Sequence, residues 1–62
     1  IMSSFEMKKY IENRNGELCM DEILHVIDTS RNPQIDHILY ENGLWKLWDK
    51  NGYYFEFRKR NW

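Results

Sequence analysis

His25, His37 and Cys19 are the residues whose side chains could support metal binding or nucleophilic catalysis. His25 lies four residues after Asp21 and three before Asp28, a spacing that on a helix brings carboxylate and imidazole groups to one side. A structural zinc site needs four ligands and a catalytic one three, and the sequence offers no further partner for this set. We therefore interpret His25 as a residue on the solvated side of a helix, and we predict no metal or cofactor.

Cys19 comes directly before the clearest helical segment, a position that can activate a thiol. A cysteine nucleophile also needs an adjacent base, and none is evident near Cys19 in the sequence. Cys19 and Glu22 have the spacing of an N-cap residue and its third helical residue, with Cys in place of the usual Ser or Thr. Because the sequence also lacks a Gly-rich phosphate loop, a Ser-His-Asp set and a catalytic carboxylate pair, we predict that the protein is not an enzyme.

Length and composition limit the size of the domain and the ways in which it can be stabilised. The 62 residues allow one small domain, residues 1–62, and the single cysteine excludes an internal disulfide. The 16% aromatic content then points to aromatic packing or to association as the source of stability. A net charge of −1 argues against a surface that binds phosphate everywhere, although residues 44–62 hold five basic and two acidic residues.

Targeting signals are not visible in the sequence. There is no apolar run long enough to span a membrane and no signal-peptide pattern, so we expect a cytoplasmic protein that does not bind membranes. Met2 is expected to be the natural start, with Ile1 a vestige of cloning. Small cytosolic chains of this size often come from phages and mobile elements, and such an origin is one expectation for this protein.

Two helices are predicted in the first half of the chain. Ser3 and Glu6 have the spacing of a capping box, so the first helix runs from Ser3 to about Arg14 and ends at Asn15-Gly16. The second helix stops near Asp28. Its apolar stripe is expected to comprise Met20, Ile23, Leu24 and Ile27, with Val26 beside it.

The segment 35–41 has two interpretations. As a strand, it begins a three-stranded antiparallel meander whose first turn is Asn42-Gly43, a strong hairpin signal. If the segment is instead helical, it belongs to a third helix that begins at Pro33, and a hairpin follows that helix. We favour the strand, which gives an α+β fold of two N-terminal helices packed on a three-stranded antiparallel β-meander.

The register of the hairpins supports this choice. A two-residue turn at Asn42-Gly43 and a three-residue loop at 50–52 place one set of apolar side chains on a single face: Ile38, Tyr40, Trp45, Leu47, Phe55 and Phe57. His37 then lies beside Trp48 on the other face, with Lys46 opposite Glu56. A slip of one residue would move every side chain of the slipped strand to the other face of the sheet.

The alternative order of three helices and a hairpin resembles a winged helix-turn-helix domain. Asp21 to Ser30 would be the first helix of the motif, Pro33 to Asn42 the recognition helix and residues 44–58 the wing. The resemblance implies DNA binding through the recognition helix and the wing.

Two functions follow from these patterns. The leading hypothesis is a small non-catalytic interaction or regulatory module that docks on another protein, or on its own copy, through an aromatic sheet face. The partner-binding residues are expected to be Leu39, Trp48, Tyr54 and Arg58. The alternative is a nucleic-acid-binding regulator, whose contacts would be Arg58, Lys59, Arg60 and Trp62.

A homodimer is the final expectation from the sequence. A meander leaves two unpaired strand edges, at residues 35–41 and 53–58, and unpaired edges attract further strands. The second edge is protected by basic residues, whereas the first carries only Asp36 and Glu41 as charges. Association is therefore expected through the outer sheet face or the first edge.

Overall fold

Two helices and four strands make up the computed structural model, which describes residues 2–60. Their bounds in chain order are α1 Ser4–Glu12, β1 Glu17–Leu18, α2 Met20–Ile27, β2 Ile35–Glu41, β3 Leu44–Asp49 and β4 Tyr54–Lys59. The strands form one mixed sheet in the order β1-β4-β3-β2, in which β1 runs parallel to β4 and the other neighbours are antiparallel. The predicted α+β class is confirmed.

The predicted three-stranded sheet was wrong by one strand. The backbone N–H of Arg58 donates to Gly16 O and that of Arg60 donates to Leu18 O, both at 2.8 Å, so β1 pairs with β4. A two-residue strand has no side-chain alternation for a sequence to reveal, and its hydrogen bonds join backbone groups that lie far apart in the sequence. The edge expected at residues 53–58 is therefore covered at its C-terminal end.

The winged-helix order was also wrong, because residues 35–41 form β2 rather than a helix. Asn42 and Gly43 both adopt left-handed backbone conformations, with φ of 53° and 80°. Two such residues make a type I′ turn, whose twist matches that of a two-residue hairpin. The Asn-Gly pair thus pins β2 to β3, and no recognition helix exists at residues 35–41.

The predicted register of the two hairpins is confirmed. The second turn closes as expected, with Gly52 at φ 85° and the Asp49 N–H donating to Tyr53 O at 3.0 Å. The observed partners include the following pairs: Tyr40–Trp45, Leu39–Lys46, Ile38–Leu47, Leu47–Phe55, Lys46–Glu56 and Trp45–Phe57. A bulge between Ile35 and His37 is the one irregularity in the β2–β3 pairing.

Asp49 joins this second turn to helix α1. Its side chain is buried, accepts the N–H groups of Asn51 and Tyr53 at 2.9 Å each, and accepts the Ser4 hydroxyl. Burial works against the charged carboxylate, but these hydrogen bonds outweigh it and lower the pKa of Asp49. The first turn of α1 is thereby held against the end of β3.

The helices cover one face of the sheet. The Ser3–Glu6 capping box is present at the start of α1, as predicted. The core consists of Met7, Ile11, Leu18, Ile23, Val26, Ile35, Leu47 and Phe57. The expected stripe of α2 was wrong in part, because Met20 and Leu24 are 43% and 55% exposed, whereas Ile23 of the stripe and Val26 beside it are buried.

Glu22 holds the start of α2 in place. Its carboxylate accepts the Cys19 N–H at 2.9 Å and the Arg14 Nε at 2.6 Å, while the Arg14 guanidinium lies 3.5 Å from the centre of the Tyr10 ring. Cys19 therefore occupies the N-cap position, as its spacing from Glu22 predicts. The Cys19 N–H, followed by the Arg14 guanidinium, lowers the pKa of Glu22 from 4.5 to about 2.

This lowered pKa predicts an acid-dependent contribution of Glu22 to stability. Because the folded chain holds the carboxylate charged, the contribution is complete above pH 4.5 and is lost as pH falls toward about 2. Glu22→Gln should therefore be less stable than the parent at neutral pH, and the difference should shrink across this window. Urea unfolding at a series of pH values measures it, and a difference that stays constant with pH would contradict the assignment.

Candidate functional site

The candidate site is the outer face of the sheet, the face opposite the helices. Its side chains stand in three rows that cross the strands β2, β3 and β4. They are an aromatic row of His37, Trp48 and Tyr54, a middle row of Leu39, Lys46 and Glu56, and a charged row of Glu41, Leu44 and Arg58. Strand pairing sets these rows, because residues opposite one another point to the same side.

The aromatic row is a continuous stack of rings. The His37 and Trp48 rings lie 4.4 Å apart and nearly parallel, at 11°. Trp48 and Tyr54 lie 5.0 Å apart and are tilted by 49°. Trp48 is half-buried between its two neighbours, whereas Tyr54 is 44% exposed. The row therefore presents a preformed apolar ridge at the surface.

Three of the four expected partner-binding residues come together here. Trp48 and Tyr54 are direct neighbours in the aromatic row, and Leu39, 44% exposed, follows His37 by two residues on the same face. Arg58 lies apart from them in the charged row, where its Nη2 is 3.5 Å from Glu17 Oε2. The middle row separates Arg58 from Trp48 and Tyr54.

Charged groups lie beside the aromatic row, in the middle and charged rows. Lys46 Nζ donates to Glu41 Oε1 at 2.9 Å, and this hydrogen bond raises the pKa of Lys46. Partial desolvation, followed by the nearby Glu56 carboxylate, raises the pKa of Tyr54. Lys46 and Tyr54 therefore both keep their protons at neutral pH. The face thus presents hydrogen-bond donors next to a similar number of carboxylates.

His37 belongs to this face but is not among the contact residues that the sequence predicts. The register did place it beside Trp48, and the stacking confirms that neighbourhood. The signal that could have included it is its position in the same row as Trp48 and Tyr54. Its Nδ1 is also 2.8 Å from the Asp36 carboxylate.

The basic cluster proposed for nucleic acids lies beside acidic residues. Arg58 is close to Glu17, and Arg60 Nη2 is 3.8 Å from Glu22 Oε1. Lys59 is exposed and pairs with Leu18 along the backbone. Trp62, the fourth expected contact, lies outside the described residues. The nearby glutamates reduce the positive potential that a phosphate chain would meet.

His25 and Cys19 do not form a metal centre with other residues. The His25 ring lies 5.6 Å from that of Tyr10, and within residues 2–60 no three His, Cys, Asp or Glu side chains are placed to share a metal ion. Neither α1 nor α2 is long and apolar enough to cross a membrane.

A shallow cleft of about 280 Å³ lies between α1 and the start of β4. Its walls comprise Ser4, Phe5, Lys8, Tyr53 and Phe55. Ligand sites usually place several polar groups around a common point, and this cleft has mainly apolar walls. The cleft is therefore an exposed apolar feature in addition to the aromatic row, and not a site where polar groups converge on a ligand.

Comparison with known proteins found no relative of this chain. No family model matches the chain, and neither the curated proteins nor the solved structures give a match. The site must be interpreted from its own geometry.

The ring contacts predict how the outer face responds to truncation. Trp48→Ala removes two ring contacts, each worth about 0.5–1.5 kcal/mol, whereas Tyr54→Ala removes one. We expect Trp48→Ala to lower the free energy of unfolding by about 1–3 kcal/mol and Tyr54→Ala by about half as much.

Urea unfolding followed by circular dichroism measures both effects. Tyr53→Ala is the matched control, since Tyr53 is 60% exposed and has no ring contact within the described part of the chain. Equal losses for Trp48→Ala and Tyr53→Ala would show that the aromatic row is not a stacked unit.

Proposed function

We infer that the protein is a non-catalytic interaction module whose working surface is the outer face of the sheet. The observation that carries this proposal is the aromatic row, a stack of three rings on a face that neither helix covers. Exposed contiguous apolar surface is characteristic of association sites. Trp and Tyr are also among the residues that dominate binding energy at protein interfaces.

Another protein is the partner that this surface fits best. The aromatic row is apolar and the charges beside it are mixed, with Lys46 bonded to Glu41 and Arg58 close to Glu17. Protein interfaces combine apolar patches with neighbouring polar residues. A phosphate backbone would instead require a surplus of cations. The expected partner therefore presents an apolar patch of low net charge.

Within residues 2–60, the cleft beside α1 shows no convergence of polar groups, which supports a binding role over catalysis. The cleft beside α1 has mainly apolar walls, and the half-buried Cys19 holds the N-cap position of α2, where its N–H donates to Glu22. The expectation of a cytoplasmic location stays a prediction and is supported by the unpaired thiol of Cys19.

The test compares variants on the outer face with one on the helical side. The protein is immobilised and exposed to a lysate of its source, and the retained proteins are quantified for the parent, Leu39→Ala, Tyr54→Ala and Leu24→Ala. Leu24 is the matched control because it is an exposed leucine on α2, at 55% against 44% for Leu39. Circular dichroism establishes that each variant is folded.

We expect a stoichiometric partner that both outer-face variants lose and Leu24→Ala retains. Truncation of a hot-spot residue at an interface costs about 2 kcal/mol or more, which is over tenfold in affinity. Retention by all variants, loss only with Leu24→Ala, or no retained protein would contradict the proposal.

Nucleic-acid binding is the alternative outcome of the same experiment. It would appear as retained nucleic acid whose affinity falls steeply as salt rises. Neutralising Arg58, Lys59 and Arg60 would then abolish retention, whereas Tyr54→Ala would leave it intact.

A further inference from the structure

The sheet has one long open edge, which is β2. In the strand order β1-β4-β3-β2, β1 covers the C-terminal end of the far edge of β4, at Arg58 and Lys59, while the whole far side of β2 has no neighbour among residues 2–60. Strand β2 spans seven residues, Ile35–Glu41. An edge of this length presents a row of unpaired backbone donors and acceptors.

Hydrogen bonds around β3 identify which backbone groups on β2 point outward. The Lys50 N–H donates toward Gln34 on the β2 side, and the Asp49 N–H donates toward Tyr53 on the β4 side. The direction of the backbone N–H and C=O groups alternates along a strand. The even-numbered residues of β3 therefore point these groups toward β2.

The same alternation applies to β2 through its register. His37, Leu39 and Glu41 lie opposite Trp48, Lys46 and Leu44, so these three residues of β2 bond to β3. The N–H and C=O groups of Ile38 and Tyr40 consequently point away from the sheet. These four groups per chain are available to a new strand.

The edge lacks most of the devices that discourage pairing. Between the bulge at Ile35/His37 and the turn at Asn42, the strand has no proline or lysine, and its charged residue is Glu41. Tyr40 is 58% exposed and Leu39 is 44% exposed. The bulge confines regular pairing to residues 37–41, which sets the length of any added strand.

We propose that β2 pairs with β2 of a second copy, antiparallel about a two-fold axis through Leu39, to give a homodimer with one continuous sheet. In this register Ile38 faces Tyr40 of the second copy and Tyr40 faces its Ile38. Four backbone hydrogen bonds form, and they use only the groups that point outward. The proposal goes beyond the interaction module, because it concerns the sheet edge and a different partner.

Self-complementarity is what selects a second copy over an unrelated peptide. The axis places Leu39 beside Leu39 of the second copy on the outer face. His37 then lies opposite Glu41 of the second copy, a favourable polar pair in place of a like-charge contact. Each end of the interface carries a further opposite charge, since Asp36 bonds to His37 and Lys46 bonds to Glu41.

The register centred on Leu39 is preferred over its neighbours. Centring on Ile38 would require Asp36, which lies in the bulge, to pair regularly. Centring on Tyr40 would bring Asn42 of the turn into the ladder, where its φ of 53° is incompatible with a strand. Only the Leu39 centre keeps every paired residue within 37–41.

Sedimentation across a hundredfold concentration range tests the dimer directly. We expect the mass to rise from 7.7 kDa toward twice that value. In parallel, hydrogen exchange at the Ile38 and Tyr40 amides should slow as concentration rises, while the Arg58 and Arg60 amides, bonded within the chain, keep constant protection. A mass of 7.7 kDa throughout, or exchange at Ile38 and Tyr40 that ignores concentration, would overturn the proposal.

A backbone variant separates edge pairing from side-chain contact. Tyr40→Pro removes an outward N–H, which an edge strand tolerates, and Tyr40→Thr is its matched control because it removes the ring but keeps the N–H. Loss of two of the four intermolecular bonds should weaken the proline dimer about tenfold to a hundredfold relative to the threonine dimer. Equal dimerisation of the two variants would overturn pairing through this edge.

A charge pair tests the axis even if the proline variant fails to fold. Leu39→Lys and Leu39→Glu should each be monomeric, because like charges meet at the axis, and a mixture should form a one-to-one heterodimer. Failure to form the heterodimer would overturn the register. Tyr54→Ala lies off the edge and should leave the dimer intact, so that loss of a separate protein partner in that variant is distinguishable from loss of the dimer.

Discussion

The register of β2, β3 and β4 is the constraint on which the rest of this structure depends. Two turns fix it: Asn42-Gly43, with both residues in left-handed conformations, and the loop from Asp49 to Tyr53 that closes on Gly52. A slip of one residue at the first turn would place Ile38 on the face opposite Leu47, and a slip at the second turn would place Phe57 on the face opposite Leu47. The buried apolar residues among residues 2–60 form one cluster, so no second core there compensates for a slip.

Everything proposed for the protein follows from how this register divides the side chains. The inner face supplies the residues that α1 and α2 bury, and Asp49 joins the second turn to α1 through Ser4. The outer face receives His37, Trp48 and Tyr54 in one row because they are opposite one another in the ladder. The same alternation leaves the backbone of Ile38 and Tyr40 directed outward. Core, surface and edge are therefore three consequences of one arrangement.

The parts that could be predicted from the sequence are those with a local signal. The Asn42-Gly43 turn, the Ser3–Glu6 capping box and the position of His37 beside Trp48 each follow from residue types at short spacing. Strand β1 could not be predicted, because two residues carry no alternation and the pairing is made by backbone groups distant in sequence. The apolar residues of α2 lie on more than one side, so tertiary packing decided that Ile23 is buried and Leu24 exposed. No motif in the sequence identified a partner.

Cross-strand nuclear Overhauser effects between Hα protons test the register most directly, because such protons are close only across pairs that are not hydrogen-bonded. The account predicts strong effects for Ile38–Leu47 and Tyr40–Trp45 between β2 and β3. It predicts the same for Lys46–Glu56 and Trp48–Tyr54 between β3 and β4. Effects displaced by one residue at either hairpin, such as Leu47–Glu56 in place of Lys46–Glu56, would contradict the account, since the aromatic row and the open edge would then not exist as described.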